Sequence, residues 1–161
     1  MHPISCDPED QKKFIIHAIN DPNTYYFKIC SLRLNRPEGL ICLYNYENDT
    51  NESELGRWIL AQESMAALES IFLGYTYGFE ILGYDKISTR TNANNKHMVS
   101  FHDSFGIKNK KKLNNYFLIN GKRISAIEHS IYKSEWYIIK GKIEPNIIRL
   151  ANKLNDDSGV K

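Results

Sequence analysis

Five histidines, three cysteines and one run of lysines are the side chains whose spacing first bears on chemistry. His97 and His102 stand five positions apart, which is wrong for two ligands on one helical face. No Cys/His grouping has zinc spacing, so no metal site is expected. Cys6, Cys30 and Cys42 are odd in number and include no Cys-x-x-Cys. That fits a reducing cytoplasm better than a secreted disulfide scaffold. Cys30 and Cys42 sit in apolar stretches and are expected to be buried small hydrophobes. The motifs Gly-x-x-x-x-Gly-Lys-Ser/Thr, Gly-x-Gly-x-x-Gly and Gly-x-Ser-x-Gly are all absent. P-loop, dinucleotide and nucleophile-elbow chemistries are therefore excluded. Lys110-Lys111-Lys112 is either a solvated loop or a contact to a phosphorylated ligand.

The elements that must position any site follow from periodicity. Asp7-Pro8-Glu9-Asp10 starts a helix, with Phe14, Ile15, Ala18 and Ile19 as its apolar face and Asp21-Pro22-Asn23 as its end. Thr24 to Cys30 is rich in aromatic and β-branched residues, a strand. Arg36-Pro37-Glu38-Gly39 is read as a turn, Leu40 to Tyr46 as a second strand and Glu54 to Leu60 as a third. Two tight connections in a row imply an antiparallel meander. Leu68, Ile71, Phe72, Tyr75, Phe79 and Leu82 then form the strongest helical stripe. Lys86 to Thr91 is a strand, and a helix from about Asn94 to Ser104 carries Met98, Phe101, His102 and Phe105 on one face. Leu113 to Ile119 and Ile124 to Tyr132 flank Asn120-Gly121, a hairpin signal. Pro145 is expected to start a short helix with Ile147, Ile148, Ala151 and Leu154, and Asp156 to Lys161 to fray.

Composition bounds the class. The chain has 161 residues, 42% hydrophobic and 25% charged, which is ordinary globular usage. Lys and Arg total 21 against 19 Asp and Glu, a net charge of +2 that gives no basis for nucleic-acid binding. No apolar run approaches the ~18–20 residues that span a bilayer, and the first residues carry no signal-peptide pattern. No membrane contact and a cytoplasmic location are expected. The division expected is a main domain over 1–140 and a C-terminal extension over 141–161.

Three segments carry a family resemblance: Ser53 to Leu60, Tyr77 to Ile87, and Asn95 to Ile107. They resemble, in order, the fourth strand, the main helix with the fifth strand, and the Asn-x-x-Ala/Ser-x-x-Leu-His/Tyr-x-x-x-Gly-Phe signature of the GNAT acetyltransferases. The likeness is to bacterial members that acetylate nucleotide-linked amino sugars, of the pseudaminic-acid pathway type. Ser134-Glu135-Trp136 is similar to the end of those enzymes. The resemblance covers roughly residues 2 to 137. It implies an α/β (α+β) fold with a mixed, mostly antiparallel sheet flanked by helices, lacking the family's first strand and helix. One sheet edge would then be open, or covered by a partner.

The resemblance also implies a site. Acetyl-CoA would be the donor and an amino group on a nucleotide-linked deoxysugar the acceptor, by direct transfer. The backbone of Trp58, Ile59 and Leu60 would hold the pantetheine arm. The turn Gln62, Met65, Ala66, Ala67 and Leu68 would hold the diphosphate at a helix amino end. In the family's Arg/Gln-x-x-Gly-x-Gly/Ala pattern Gln62 and Ala67 match, and Met65 replaces the first glycine. Its bulk is expected to weaken cofactor binding. Asn95 would bond the pantetheine or diphosphate, His102 would protonate the departing thiolate, and Glu54 would take the amine proton.

Each of these residues also has an ordinary structural reading. His102 would be a half-buried helix histidine with its hydrogen bonds satisfied, Glu54 a strand-surface acid, Asn95 a helix cap, and Trp58 part of the core. Two rival functions stay open beside the amino-sugar enzyme: an acetyltransferase for protein N-terminal amines, and a non-catalytic binding domain of the same fold. A homodimer is also left open.

Overall fold

A computed structural model of the chain describes residues 7–156. Of the tail expected to fray, Asp156 is the last residue of the final helix, and residues 157–161, like Cys6, lie outside the described residues.

Helix α1 (Pro8–Asn20) starts as expected: Asp7 Oδ1 accepts the Glu9 amide at 2.9 Å, and Pro8 occupies the first turn. Its apolar stripe is not buried, however. Ala18 is inside, but Phe14, Ile15 and Ile19 face solvent. Phe14 instead lies under the Arg57 guanidinium, 5.1 Å from its ring.

Strands β1 (Tyr25–Ser31), β2 (Arg36–Glu47) and β3 (Glu52–Leu60) form the expected antiparallel meander. The first turn lies four residues earlier than expected, over 32–35, and Arg36 already pairs with Ser31. Asn35 closes that turn at φ +46°, a conformation asparagine tolerates. Pro37 precedes the first β2–β3 pair, Gly39–Leu60, so its missing N–H breaks no bond on that side. Cys42 is fully buried, as expected, but Cys30 is exposed because it alternates outward with Tyr26 and Lys28 on β1.

Helix α2 (Ala67–Thr76) runs into a π-helical turn, Tyr77–Ile81, and leads to β4 (Lys86–Asn92). β3 and β4 are adjacent and parallel, as a helical crossover requires. Helix α3 (Lys96–Ser104) follows, then β5 (Asn109–Ile119) and β6 (Lys122–Tyr132). Asn120 and Gly121 both have positive φ, +48° and +73°, as a type I′ hairpin turn requires. The Lys110–Lys112 run belongs to β5 rather than to a loop, and lysines on an edge strand discourage further pairing. Among the described residues, six strands make one sheet in the order β1-β2-β3-β4-β6-β5.

Helix α4 (Lys133–Asp156) is the largest departure from expectation. It is 24 residues long, begins directly after β6 and passes through Pro145. The 140/141 division falls inside it. Its first half is held by burial: Trp136, Ile139 and Ile143 are all in the core. The Trp136 ring lies 5.6 Å from Phe72, 5.8 Å from Tyr75 and 5.6 Å from Phe79. This packing outweighs the bond that proline removes. No helix among the described residues is long and apolar enough to cross a membrane.

Candidate active site

The β3–β4 seam holds three register pairs: Glu52–Lys86, Ser53–Ile87 and Glu54–Ser88. Beyond them the strands diverge. A bulge in β3 contributes: Arg57 sits at φ +47°, and β3 gains one residue on β2 between the pairs Cys42–Gly56 and Leu40–Ile59. The β4-facing side of Trp58, Ile59 and Leu60 therefore has no ladder partner, which leaves backbone groups for an extended ligand.

The loop after β3 is anchored by a residue the sequence reading passed over. Ser64 Oγ donates to the buried Glu38 carboxylate at 2.6 Å and accepts the Ala66 amide at 3.2 Å. Ala61 N–H bonds Glu38 O at 2.7 Å. Helix α2 begins at Ala67 with no side-chain cap, so its first amides, those of Ala67 and Leu68, have no intrahelical partner. Gln62 is exposed, and Met65 is 54% exposed. Met65 is not among the residues with positive φ, so the loop does not need glycine there for conformation. Its side chain turns to solvent, and the residues present fit a diphosphate at this helix end.

Glu54 is buried rather than a surface acid. Its carboxylate accepts hydrogen bonds from Tyr44 Oη at 2.7 Å, Asn45 Nδ2 at 3.1 Å and Arg90 Nη1 at 2.5 Å. Arg90 bonds Glu128 as well, through Nε at 2.8 Å. Gly56 packs closely under this group: a Cβ on it would meet Tyr44 Oη at 3.0 Å, so the phenol would have to shift by a few tenths of an ångström. A cleft of about 140 Å3 opens beside Glu54, lined also by Glu47, Glu52, Ser88 and Arg90. A larger depression of about 550 Å3 lies along α4 at Glu144 to Lys153, away from the seam.

His102 sits on the other face of the sheet. Glu54 registers with Ser88, whereas Thr89, one residue on, registers with His129, whose ring lies 5.3 Å from His102. The two residues expected to act together are thus separated by the sheet, next to the seam where its strands part. His102 is 3% exposed, and its Nδ1 has no partner, so it is not a satisfied core histidine. Burial, and then His129, push its pKa down to about 4, so the ring is neutral at pH 7. Phe101 packs on Trp58 at 5.4 Å, which fixes α3 against the diverging half of β3. Asn95 caps α3, its Oδ1 accepting the Met98 amide at 3.2 Å.

No protein-family model matches the chain, and no curated protein does. Solved structures do match. A spermidine N-acetyltransferase SpeG chimera from Vibrio cholerae and hSSAT superposes with a TM-score of 0.71 at 21% identity, covering 80% of this chain and 81% of that one. The V. cholerae spermidine/spermine N-acetyltransferase SpeG with manganese ions gives 0.69 at 21%, covering 80% and 76%. A dodecameric form of V. cholerae spermidine N-acetyltransferase gives 0.68 at 21%, covering 80% and 75%. The chain has the GNAT fold. Within that fold Tyr44, Asn45, Arg90 and Glu128 are the site residues that sequence reasoning missed. The alternating run Ser88-Thr89-Arg90 on a strand flanking the seam was the available signal. Nothing local linked Arg90 to Glu54, 36 residues away.

Proposed function

We propose that this chain transfers an acetyl group from acetyl-CoA to a primary amine. The observation that carries the reading is the β3–β4 seam, paired for three residues and then open beside an uncapped helix end. Acetyl-CoA supplies an activated thioester. The free backbone of Trp58 to Leu60 aligns it, and the amides of Ala67 and Leu68 take its diphosphate. Gln62, Met65 and Ala66 shape the rim of that turn, and Asn95 lines up α3 beside it. Glu54 receives the amine proton, and His102 delivers a proton to the leaving sulfur. His102 does so as a neutral ring that loses one proton as it gains another, since its stable form at pH 7 is uncharged.

The acceptor this cleft suits is a cationic amine. Glu47, Glu52 and Glu54 face it against one guanidinium, that of Arg90, and Lys86 is already bonded to Glu52 at 2.9 Å. A polyamine complements that charge. The diphosphate of a nucleotide-linked amino sugar is repelled by it, and the solved structures above bear the names of polyamine enzymes. The test is thiol release from acetyl-CoA with three acceptors: spermidine, a nucleotide-linked amino-deoxysugar and a peptide with a free N-terminal amine. Spermidine should turn over fastest, and Glu54→Gln should cost about 10²-fold or more. No release with any acceptor, and no thermal stabilisation by acetyl-CoA, would leave the chain a non-catalytic binding domain.

A further inference from the structure

Strand β3 alternates regularly up to Gly56. Leu55 is in the core, while Glu54 and Gly56 face the other way, toward Tyr44. Residue 57 should return to the core face. It does not: Arg57 has φ +47°, and its guanidinium lies 4.2 Å from the centre of the Tyr44 ring. Trp58 takes the core side instead, its indole N–H bonding Ser70 of α2 at 3.2 Å. The bulge where β3 and β4 part thus also turns an arginine onto the face of Glu54. A left-handed backbone is uncommon away from glycine and carries strain, so a long charged side chain kept there invites a functional explanation.

The surroundings of the guanidinium supply one. It lies against rings from three elements: Tyr44 on β2, Tyr26 on β1 at 5.7 Å and Phe14 on α1 at 5.1 Å. Its Nη1 also donates to Tyr26 Oη at 2.6 Å. Tyr44 is the ring that leads to the site. It is buried, it lies closest to the guanidinium, and its Oη donates to Glu54 at 2.7 Å. Gly56 packs closely under the same phenol. A cation over the face of a tyrosine is attracted by the ring quadrupole and restrains it. Without the guanidinium that face of the ring loses its cover.

We propose that Arg57 is a positioning residue of the amine site: stacked on Tyr44, it keeps the phenol donating to Glu54 and so holds the carboxylate where the amine proton arrives. The inference rests on the acetyl-transfer reading. Arg57 does not touch the reacting atoms in this role. It acts through Tyr44, one step removed from Glu54. The same stack explains why Phe14 is left out of the core: helix α1 is joined to the site through Phe14, Arg57 and Tyr44. One bulge therefore does two things, parting the strands and orienting the base beside the gap.

The experiment compares the full chain with Arg57→Gly, Arg57→Lys, Tyr44→Phe and the Arg57→Gly/Tyr44→Phe double variant in acetyl transfer to spermidine, alongside crystal structures of wild type and Arg57→Gly. Glycine adopts φ +47° without strain, so the bulge and the free backbone of Trp58 to Leu60 persist in Arg57→Gly. Its KM for acetyl-CoA should stay unchanged while kcat falls about 10-fold or more. Arg57→Lys keeps a cation over the ring and should recover part of that loss. Tyr44→Phe should cost about as much as Arg57→Gly, and the double variant no more than either, because both changes break one hydrogen bond. In the Arg57→Gly crystal the Tyr44 phenol should leave Glu54. A wild-type kcat in Arg57→Gly, a lysine variant no better than glycine, losses that multiply in the double variant, or a Tyr44–Glu54 bond still at 2.7 Å each overturns the positioning role and leaves the acetyltransferase standing. A wild-type chain with no acetyl transfer overturns both, and that result is visible before any variant is made.

Discussion

Glu54 and Ser88 are the last partners in the parallel β3–β4 ladder, and the two strands part immediately after them. The carboxylate therefore sits at the mouth of the gap, on one face of the sheet, with three donors fixing it: Tyr44, Asn45 and Arg90. Position and orientation are set before any ligand arrives, which is how a site reduces the entropic cost of reaction.

Met65 controls the other end of that gap. Its side chain points outward and is 54% exposed, and a glycine in its place would leave the loop backbone more open to a diphosphate. Met65→Gly should tighten acetyl-CoA binding, read by calorimetry. Equal affinity in both proteins would mean that the anion does not approach this turn.

His102 supplies a stability test that is independent of substrate. Its pKa is about 4 folded against an ordinary 6.5, with burial as the main cause. Between those values the unfolded chain binds the proton and the folded chain does not, so stability falls as pH drops from about 6.5 to about 4. The loss should reach on the order of 3 kcal/mol. Urea unfolding of wild type and His102→Phe at pH 7 and pH 4.5 reads it: the variant should lose less on acidification. Parallel losses would show that the ring is protonated in the folded state. In turnover the same variant should stay folded and lose roughly 10²-fold.

Trp136 tests the anchoring of α4. It is fully buried against three aromatic rings, and its indole N–H bonds Glu80 at 2.8 Å. Trp136→Ala should cost about 3–5 kcal/mol in denaturant unfolding. A loss below about 1 kcal/mol would show that the helix is peripheral.

What the sequence determined was local. The Leu68 to Leu82 stripe between two strand patterns required a parallel β3–β4 pair, because a helical crossover brings the chain back in the same direction. Asn120-Gly121 specified its hairpin, because both residues reach positive φ at little cost. Pro145 misled the reading of α4, because the local cost of proline is legible and the burial of Trp136 against α2 is not. Only the tertiary structure decided that Glu54 is held by Arg90 and that His102 lies across the sheet from it, against His129. Those relations join residues 27 to 36 positions apart through strand register. Register is fixed by the packing of whole faces, since a shift of one residue would exchange every side chain between them.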